Sequence, residues 1–415
     1  MFIYQFLIRL LSPLILLIIG LEAIKKHGGW HFLRQRFGFG YPQRPSVSPI
    51  WIHCASVGEI KAATPLINRL LGQTELLMTT NTPTGFQLAK DLFGQKLVCV
   101  YCPIDYPFAI RRFLKALRPQ QLWVIETEIW PNLYREANRF QLAITLVNAR
   151  LSQKTLNSPT WLKQTYRTTL KTVARILARN AQEADHFRQL GASDDQIRIL
   201  GNLKYAALNH LPRFPPPLSR PFILLASSHE NEEVEITKRW LSMQRPELLV
   251  IVPRHPKRAS RIQRDLNLNA QQISVHSHNT PITSNTCVYL DDRIGTLMPY
   301  FYHAKVVIMG GAFVPKGGHN VLEPAASGAA ILTGPDMSDF EEETQLLKEA
   351  NALIQCTTYD DLFKHLTVLL ESPEKGKEMG KLARQQVLSQ TSILENYLAV
   401  LMPEKFDDTS TDTAG

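Results

Sequence analysis

Glu59, in the stretch HCASVGEIKAATPLI (residues 53–67), stands where an apolar strand-like run passes into a helix-like one. Gly58 removes side-chain bulk beside it, so the carboxylate would face a cleft at the carboxyl end of a strand. The dipole of the following helix favours the ionised form, a general base rather than an acid, unless desolvation offsets it. The same position also suits a first-turn acid that only complements the dipole. VIETEIWPNLY closes another apolar run with Glu126 and Glu128, two apart and hence on one face of an extended segment. NARLS (Asn148, Arg150) and GNLKY (Asn202, Lys204) bring cations to two further strand ends. Near Glu126, either cation would stay charged and could receive an anion.

The second half carries a different set. ASSHENEE puts Ser227, Ser228 and His229 after a strand and Glu230, Glu232 and Glu233 at a helix start, as a cap or as a ligand contact. VPRHPKR presents Arg254 and His255 stiffly between prolines, a geometry that suits phosphate. In MGGAFVPKGGHNVLEPAASGAAILTGP, Gly310-Gly311 and Gly317-Gly318 free backbone amides, and Asn320 can cap a helix that Val321, Leu322, Glu323 and Pro324 begin. Amides at a helix start bind phosphate, and a first-turn Glu can take two hydrogen bonds from a ribose diol. Asp291 and Asp292 in LDDR have no companion ligand nearby in sequence and read as a turn or a direct ligand contact rather than a metal pair. A nucleotide site without a metal must neutralise phosphate with Arg, Lys and helix termini.

These residues need a scaffold that gathers strand ends. Short apolar runs alternate with helix-like segments: IWIHCAS, ELLMTT, KLVCVYC, QLWVIET, LAITLVNA, RILARN and IRILGN, then FILLASS, LLVIVPRH, ISVHS, CVYLDD, VVIMGGA and AAILTGP. That alternation predicts parallel sheets wound with helices. HLPRFPPPLSRP, residues 210–221, sets five prolines in twelve positions and reads as an interdomain linker. The predicted fold class is therefore α/β with two doubly wound domains, whose cleft takes the ligand at the strands' carboxyl ends.

A length of 415 residues with 44% apolar content supports two globular domains. Residues 1–210 hold 26 Lys+Arg against 12 Asp+Glu, the remainder 20 against 25, so the first half is basic and suggests an anionic partner. Five cysteines do not form the framework of a secreted domain, and Cys99 and Cys102, formally CxxC, lie in an apolar run with no second pair. The apolar N-terminus, interrupted by Arg9, Ser12-Pro13, Gly20 and Glu22 and followed by Lys25, Lys26, Arg34 and Arg36, predicts a membrane anchor that spans or lies in the interface, with the body cytoplasmic.

SVGE, ETEIWPNL, NARLS, GNLK, HENEE, VPRHP, GGHNVLEPAA and GPDMSDF, between residues 51 and 340, resemble the blocks of the Kdo (3-deoxy-D-manno-octulosonic acid) transferases of lipopolysaccharide synthesis, in that family's order and at similar separations. The resemblance implies two Rossmann-like domains in the GT-B glycosyltransferase architecture, an inverting, metal-independent transfer with no cofactor, CMP-Kdo as donor and lipid IVA as acceptor. The partners would be inner-membrane phospholipid at the cytoplasmic face and no nucleic acid. By motif match Glu59 would be the general base, and Glu126 and Lys204 would stabilise the transition state. Pro253, Arg254, Ile294, Gly295, Thr296, Asn320, Val321, Leu322 and Glu323 would hold CMP. The implied layout is an anchor at 1–27, an acceptor domain at 28–209, the linker at 210–221, a CMP-sugar domain at 222–402 and a disordered tail at 403–415. Thr296 and Ala206 stand where the family usually has Glu and Asp, which bears on donor affinity. Two other readings remain open: a membrane-bound nucleotide- or lipid-binding homologue with reduced or lost catalysis, and a transferase of another CMP-activated sugar acid.

Overall fold

The computed structural model describes residues 2–403 except 26–27, 44–45, 127, 209–211, 213 and 391. Part of the expected linker and, beyond Pro403, the expected tail lie outside the described residues. The chain forms two compact units: residues 1–207 with 392–415, and residues 208–391.

The first unit is built on β1 (Ile50–His53), β2 (Leu76–Thr80), β3 (Val98–Tyr101), β4 (Gln121–Ile125), β5 (Ala143–Ala149), β6 (Arg175–Ala178) and β7 (Ile197–Ile199). They pair in the order β3-β2-β1-β4-β5-β6-β7, every pair parallel. Helices cover both faces, so β1 and β2 are buried at every residue, as continuous apolar runs require in a parallel sheet. The core joins Trp51, Phe113, Leu133, Tyr134, Ile144 and Phe187. Ser56, Thr82 and Asn180 start the helices Val57–Leu70, Pro83–Phe93 and Ala181–Leu190 by accepting a backbone N–H three residues on.

The second unit repeats the plan with β8 (Phe222–Ser228), β9 (Leu248–Pro253), β10 (Ile273–Val275), β11 (Val288–Leu290), β12 (Val307–Met309), β13 (Ile331–Thr333) and β14 (Ile354–Gln355). Their order is β10-β11-β9-β8-β12-β13-β14, again parallel throughout. In each sheet the order reverses beside the first strand, at β1/β4 and at β8/β12. Such reversals open a crevice at the strands' carboxyl ends.

One boundary differs from the sequence reading, which assigned 222–402 to the second domain. Helix Ile393–Leu401 belongs to the first unit. Its buried Tyr397 donates to the carbonyl of Gly201 at 3.0 Å, and Ile393 fills the space a side chain at Gly201 would need.

The N-terminal segment is two helices, Phe2–Leu10 and Ser12–Lys25. Among the described residues no single helix is long and apolar enough to cross a membrane; this pair meets the length and composition together but is bent by 57°. The pair is docked on the first unit: Tyr4 donates to Asp105 at 2.6 Å, and Ser12 hydrogen-bonds Tyr106 at 2.6 Å. Phe6, Leu10, Leu14, Leu17, Leu21 and Ile24 remain exposed on the outer side.

Candidate active site

In the first unit, Glu59 and Glu126 follow β1 and β4, the two adjacent strands at the reversal point. Glu59 lies in the first turn of helix Val57–Leu70. Its Oε2 accepts from the Ala55 amide at 2.7 Å and its Oε1 from the Ser56 hydroxyl at 3.0 Å, while its own N–H donates to Ser56 Oγ at 3.3 Å. Ser56-Val-Gly-Glu59 is thus a variant of the S-x-x-E capping box, a signal already present in the sequence. The expected ionisation is reversed. Burial, reinforced by repulsion from Glu128 and Glu126, outweighs the amide and hydroxyl donors and pushes the Glu59 carboxyl from 4.5 up to about 8.

Glu126 holds φ at 61°, in the left-handed region that a non-glycine residue seldom takes, and Arg150 Nε lies 3.0 Å from its carboxylate. Asn148 (φ 56°) sits at a register shift in β5, and its Oδ1 accepts from the Leu203 amide at 2.9 Å. That contact fixes the start of the short 3-10 segment Leu203–Leu208, which carries Lys204 and the buried Ala206. Asn202 Oδ1 in turn accepts from the Lys204 amide. The expected proximity of Arg150 to Glu126 is present, and Lys204 is positioned through β5 and through helix Ile393–Leu401 behind Gly201.

In the second unit the candidate nucleotide residues follow three strands that, with β8, lie side by side. Pro253 ends β9 and Arg254 is exposed just beyond, its N–H donating to Ser228 O at 3.1 Å. Ile294, Gly295 and Thr296 form the turn after β11, with Ile294 89% exposed. Thr296 Oγ1 is buried without a hydrogen-bond partner. Asn320 and Val321 lead into helix Leu322–Ser327, which carries Glu323 in its first turn; Asn320 Oδ1 accepts from the Leu322 amide at 3.1 Å. Gly310 is required by close approach, since a Cβ there would lie 2.7 Å from Ser227 O.

The acids after β8 are structural. Glu232 is fully buried and accepts from the amides of His229, Gly311 and Phe313 at 2.9, 2.8 and 3.1 Å, tying β8 to the glycine loop. Burial raises its carboxyl above the usual range. Glu233 takes the Ser228 hydroxyl and Arg258. Asp291 is a turn residue, clamped by Arg293 and Tyr300, whose donors hold its carboxyl low against burial. Asp336 and Asp339 of GPDMSDF brace the second glycine pair through the Gly317 amide and carbonyl. Sequence reasoning missed the contact between His229 and His319, whose Nε2 atoms lie 2.9 Å apart although 90 residues separate them. All five cysteines are free, and among the described residues no group of three His, Cys, Asp or Glu is disposed to hold a metal ion.

Two Rossmann-like parallel sheets in one chain, each with polar residues gathered at its reversal point, are the fold of the GT-B class. The UDP-GlcNAc 2-epimerase of Neisseria meningitidis has this fold, with a TM-score of 0.60 at 14% identity, over 86% of this chain and 100% of that one. Residues 31–207 match the family model of the 3-deoxy-D-manno-octulosonic-acid transferases. The chain is 32% identical to the 3-deoxy-D-manno-octulosonic acid transferase of Haemophilus influenzae, over 97% of this chain and 98% of that protein. It is 30% identical to that of Bordetella pertussis, over 92% and 94%. The chain belongs to the Kdo transferase family and is a glycosyltransferase.

Proposed function

We propose that this protein transfers Kdo from CMP-Kdo to lipid IVA, with inversion and without a metal ion, at the cytoplasmic face of the inner membrane. The observation that carries the reading is the pairing of Glu59 and Glu126 on adjacent strand ends at the reversal of the first sheet. In this reaction the acceptor hydroxyl oxygen attacks the anomeric carbon as the bond to the CMP phosphate breaks, and the bonding pair leaves with the phosphate. Glu59 takes the hydroxyl proton. Glu126, held by Arg150, faces the positive charge that develops on the sugar, and Lys204 steadies the sugar carboxylate or the departing phosphate. Arg254 and the segments 294–296 and 320–323 bind CMP.

The N-terminal helices serve as an interfacial anchor rather than a span. The 57° bend, the bonds of Tyr4 and Ser12 to the first unit, and the outward apolar side chains support this. The excess of Lys and Arg in the first half would draw the same unit toward anionic lipid and toward the acceptor's phosphates.

The test incubates the membrane-bound protein with CMP-Kdo and lipid IVA in the presence of EDTA. Kdo-modified lipid is expected from the wild type and very little from Glu59→Ala. No product from the wild type, or full activity in the variant, would overturn the reading. Competition by other CMP-activated sugar acids checks donor identity, and extraction of the protein by high salt and alkali checks the interfacial anchor.

A further inference from the structure

Glu126 and Glu128 lie between the end of β4 and helix Pro131–Arg139, so the start of that helix limits where the two acids can stand. The helix has no cap of its own, because the side chain of Trp130, just before it, makes no capping hydrogen bond. Its first free amides are satisfied from another strand end. Asp105, beyond β3, accepts from the amides of Asn132 at 3.1 Å and Leu133 at 2.7 Å, and its carbonyl accepts from Asn132 Nδ2 at 2.6 Å. Tyr134, the next residue, donates to the Glu128 carbonyl at 2.8 Å, and Trp130 Nε1 donates to the Glu128 carboxylate. The helix start thus grips the acidic segment at one end. At the other, Glu126, with φ at 61°, is tied by its own N–H to Val147 O at 2.9 Å.

Asp105 and Asn132 are held in turn by the N-terminal helix Phe2–Leu10. Tyr4 donates to Asp105 Oδ2 at 2.6 Å, the oxygen that also takes the Asn132 amide, and Gln5 Nε2 donates to Asn132 Oδ1. Both partners are buried, so water does not readily replace either donor. Ile8, a turn further on, lines the same cavity as Trp130 and Leu133. Ile3, Phe6 and Leu10 are exposed on the other side of the helix. Nine residues make a helix that is marginal alone, and apolar packing would be enough to seat an anchor. This one is joined to its unit by buried polar bonds that end on the segment bearing Glu126.

We propose that Tyr4 and Gln5 are positioning residues of the active site: through Asp105 and Asn132 they fix the start of helix Pro131–Arg139 and hence the placement of Glu126. This rests on the reading of Glu126 as a charge stabiliser and gives helix Phe2–Leu10 a task beside that of anchor. A carboxylate displaced by a fraction of an ångström loses its hold on the transition state while the ground state binds as before.

The test measures transfer from CMP-Kdo to lipid IVA by the full chain in lipid vesicles. Tyr4→Phe/Gln5→Ala leaves the outer face of the helix unchanged. It is expected to lower kcat about tenfold or more, with acceptor KM, CMP affinity and the vesicle-bound fraction within about twofold of wild type. In a Glu126→Gln background the same two substitutions should cost almost nothing further, because the group they position is already gone. A merely structural role would cost the same factor in both backgrounds. Tyr4→Phe alone removes a single hydroxyl; it should follow the same pattern with a smaller fall in kcat, and it carries the test if the double variant does not fold. Full kcat in these variants, an equal fall in both backgrounds, or a raised acceptor KM at unchanged kcat would overturn the positioning role and leave that of Glu126 standing. Full kcat in Glu126→Gln would overturn the reading of Glu126, and the positioning role with it.

Discussion

Glu59→Gln separates the two roles that one side chain holds. As a cap, Glu59 accepts from the Ala55 amide at 2.7 Å and the Ser56 hydroxyl at 3.0 Å. Glutamine keeps the first bond through its carbonyl and can donate its amide to the serine oxygen, so the cap survives and the ionisable proton is removed. Burial has pushed that carboxyl from 4.5 to about 8 in the folded chain. A carboxyl with a raised folded pKa costs stability as it ionises: the cost is absent below 4.5, grows through the window up to about 8, and is constant above it. At about 1.4 kcal/mol per pH unit the ceiling is about 5 kcal/mol. The variant is therefore expected to melt close to wild type near pH 5 and clearly above it near pH 9. Scanning calorimetry should compare the two proteins at each pH, because two units need not melt together. Over the same range wild-type kcat/KM for the acceptor should climb with pH and level off above about 8, and the variant's kcat should fall about 100- to 10,000-fold. A variant that melts below wild type near pH 9, or keeps more than about a tenth of its kcat, would refute the argument that a destabilised carboxylate is retained here for proton transfer.

Arg254→Ala removes a cation that faces solvent just past β9, and CMP should bind about 10- to 100-fold more weakly by calorimetry; unchanged affinity would take Arg254 out of the phosphate site. Thr296→Glu replaces a buried, unpartnered hydroxyl with the acid that the family resemblance implies here, at the start of helix Leu297–His303. The donor KM should fall about two- to fivefold, within the range of a first-turn acid's effect, and a rise would show that the turn has no room for the carboxylate. Gly310→Ala forces a Cβ against the Ser227 carbonyl, 2.7 Å away, and should destabilise the second unit by about 1–3 kcal/mol in urea unfolding; wild-type stability would mean the strands can part there without cost.

The apolar runs made thirteen of the fourteen strands among the described residues readable, most of them because strands buried on both faces need unbroken hydrophobic sequence. Ile354–Gln355 escaped, since two half-buried residues make no run. The placement of Glu59, Glu126, Arg254 and Asn320 at strand or helix ends was legible for the same reason: each comes directly after an apolar run or before a helical one. What depends on three-dimensional burial was not. The helix dipole could be inferred from the order of elements, but the desolvation that overrides it at Glu59 comes from neighbours the sequence does not name. The left-handed backbone at Glu126 and Ser227 falls on residue types that seldom take it and carries no glycine to announce it. Helix Ile393–Leu401 was assigned to the domain it follows in sequence because amphipathicity records that a face is buried, not which partner buries it.

The return of helix Ile393–Leu401 to the first unit makes residues 208–391 an insertion within that unit. During synthesis the inserted unit emerges whole and can close its sheet while the first still lacks its last helix. The unit begun first is thus finished last, and its missing piece is the helix whose Ile393 and Tyr397 brace the Gly201 turn ahead of Lys204. A nascent chain would therefore complete the proposed nucleotide-binding unit before it acquires a rigid seat for that lysine. The order of assembly would hold the proposed transfer site incomplete until nearly all of the described chain has been made.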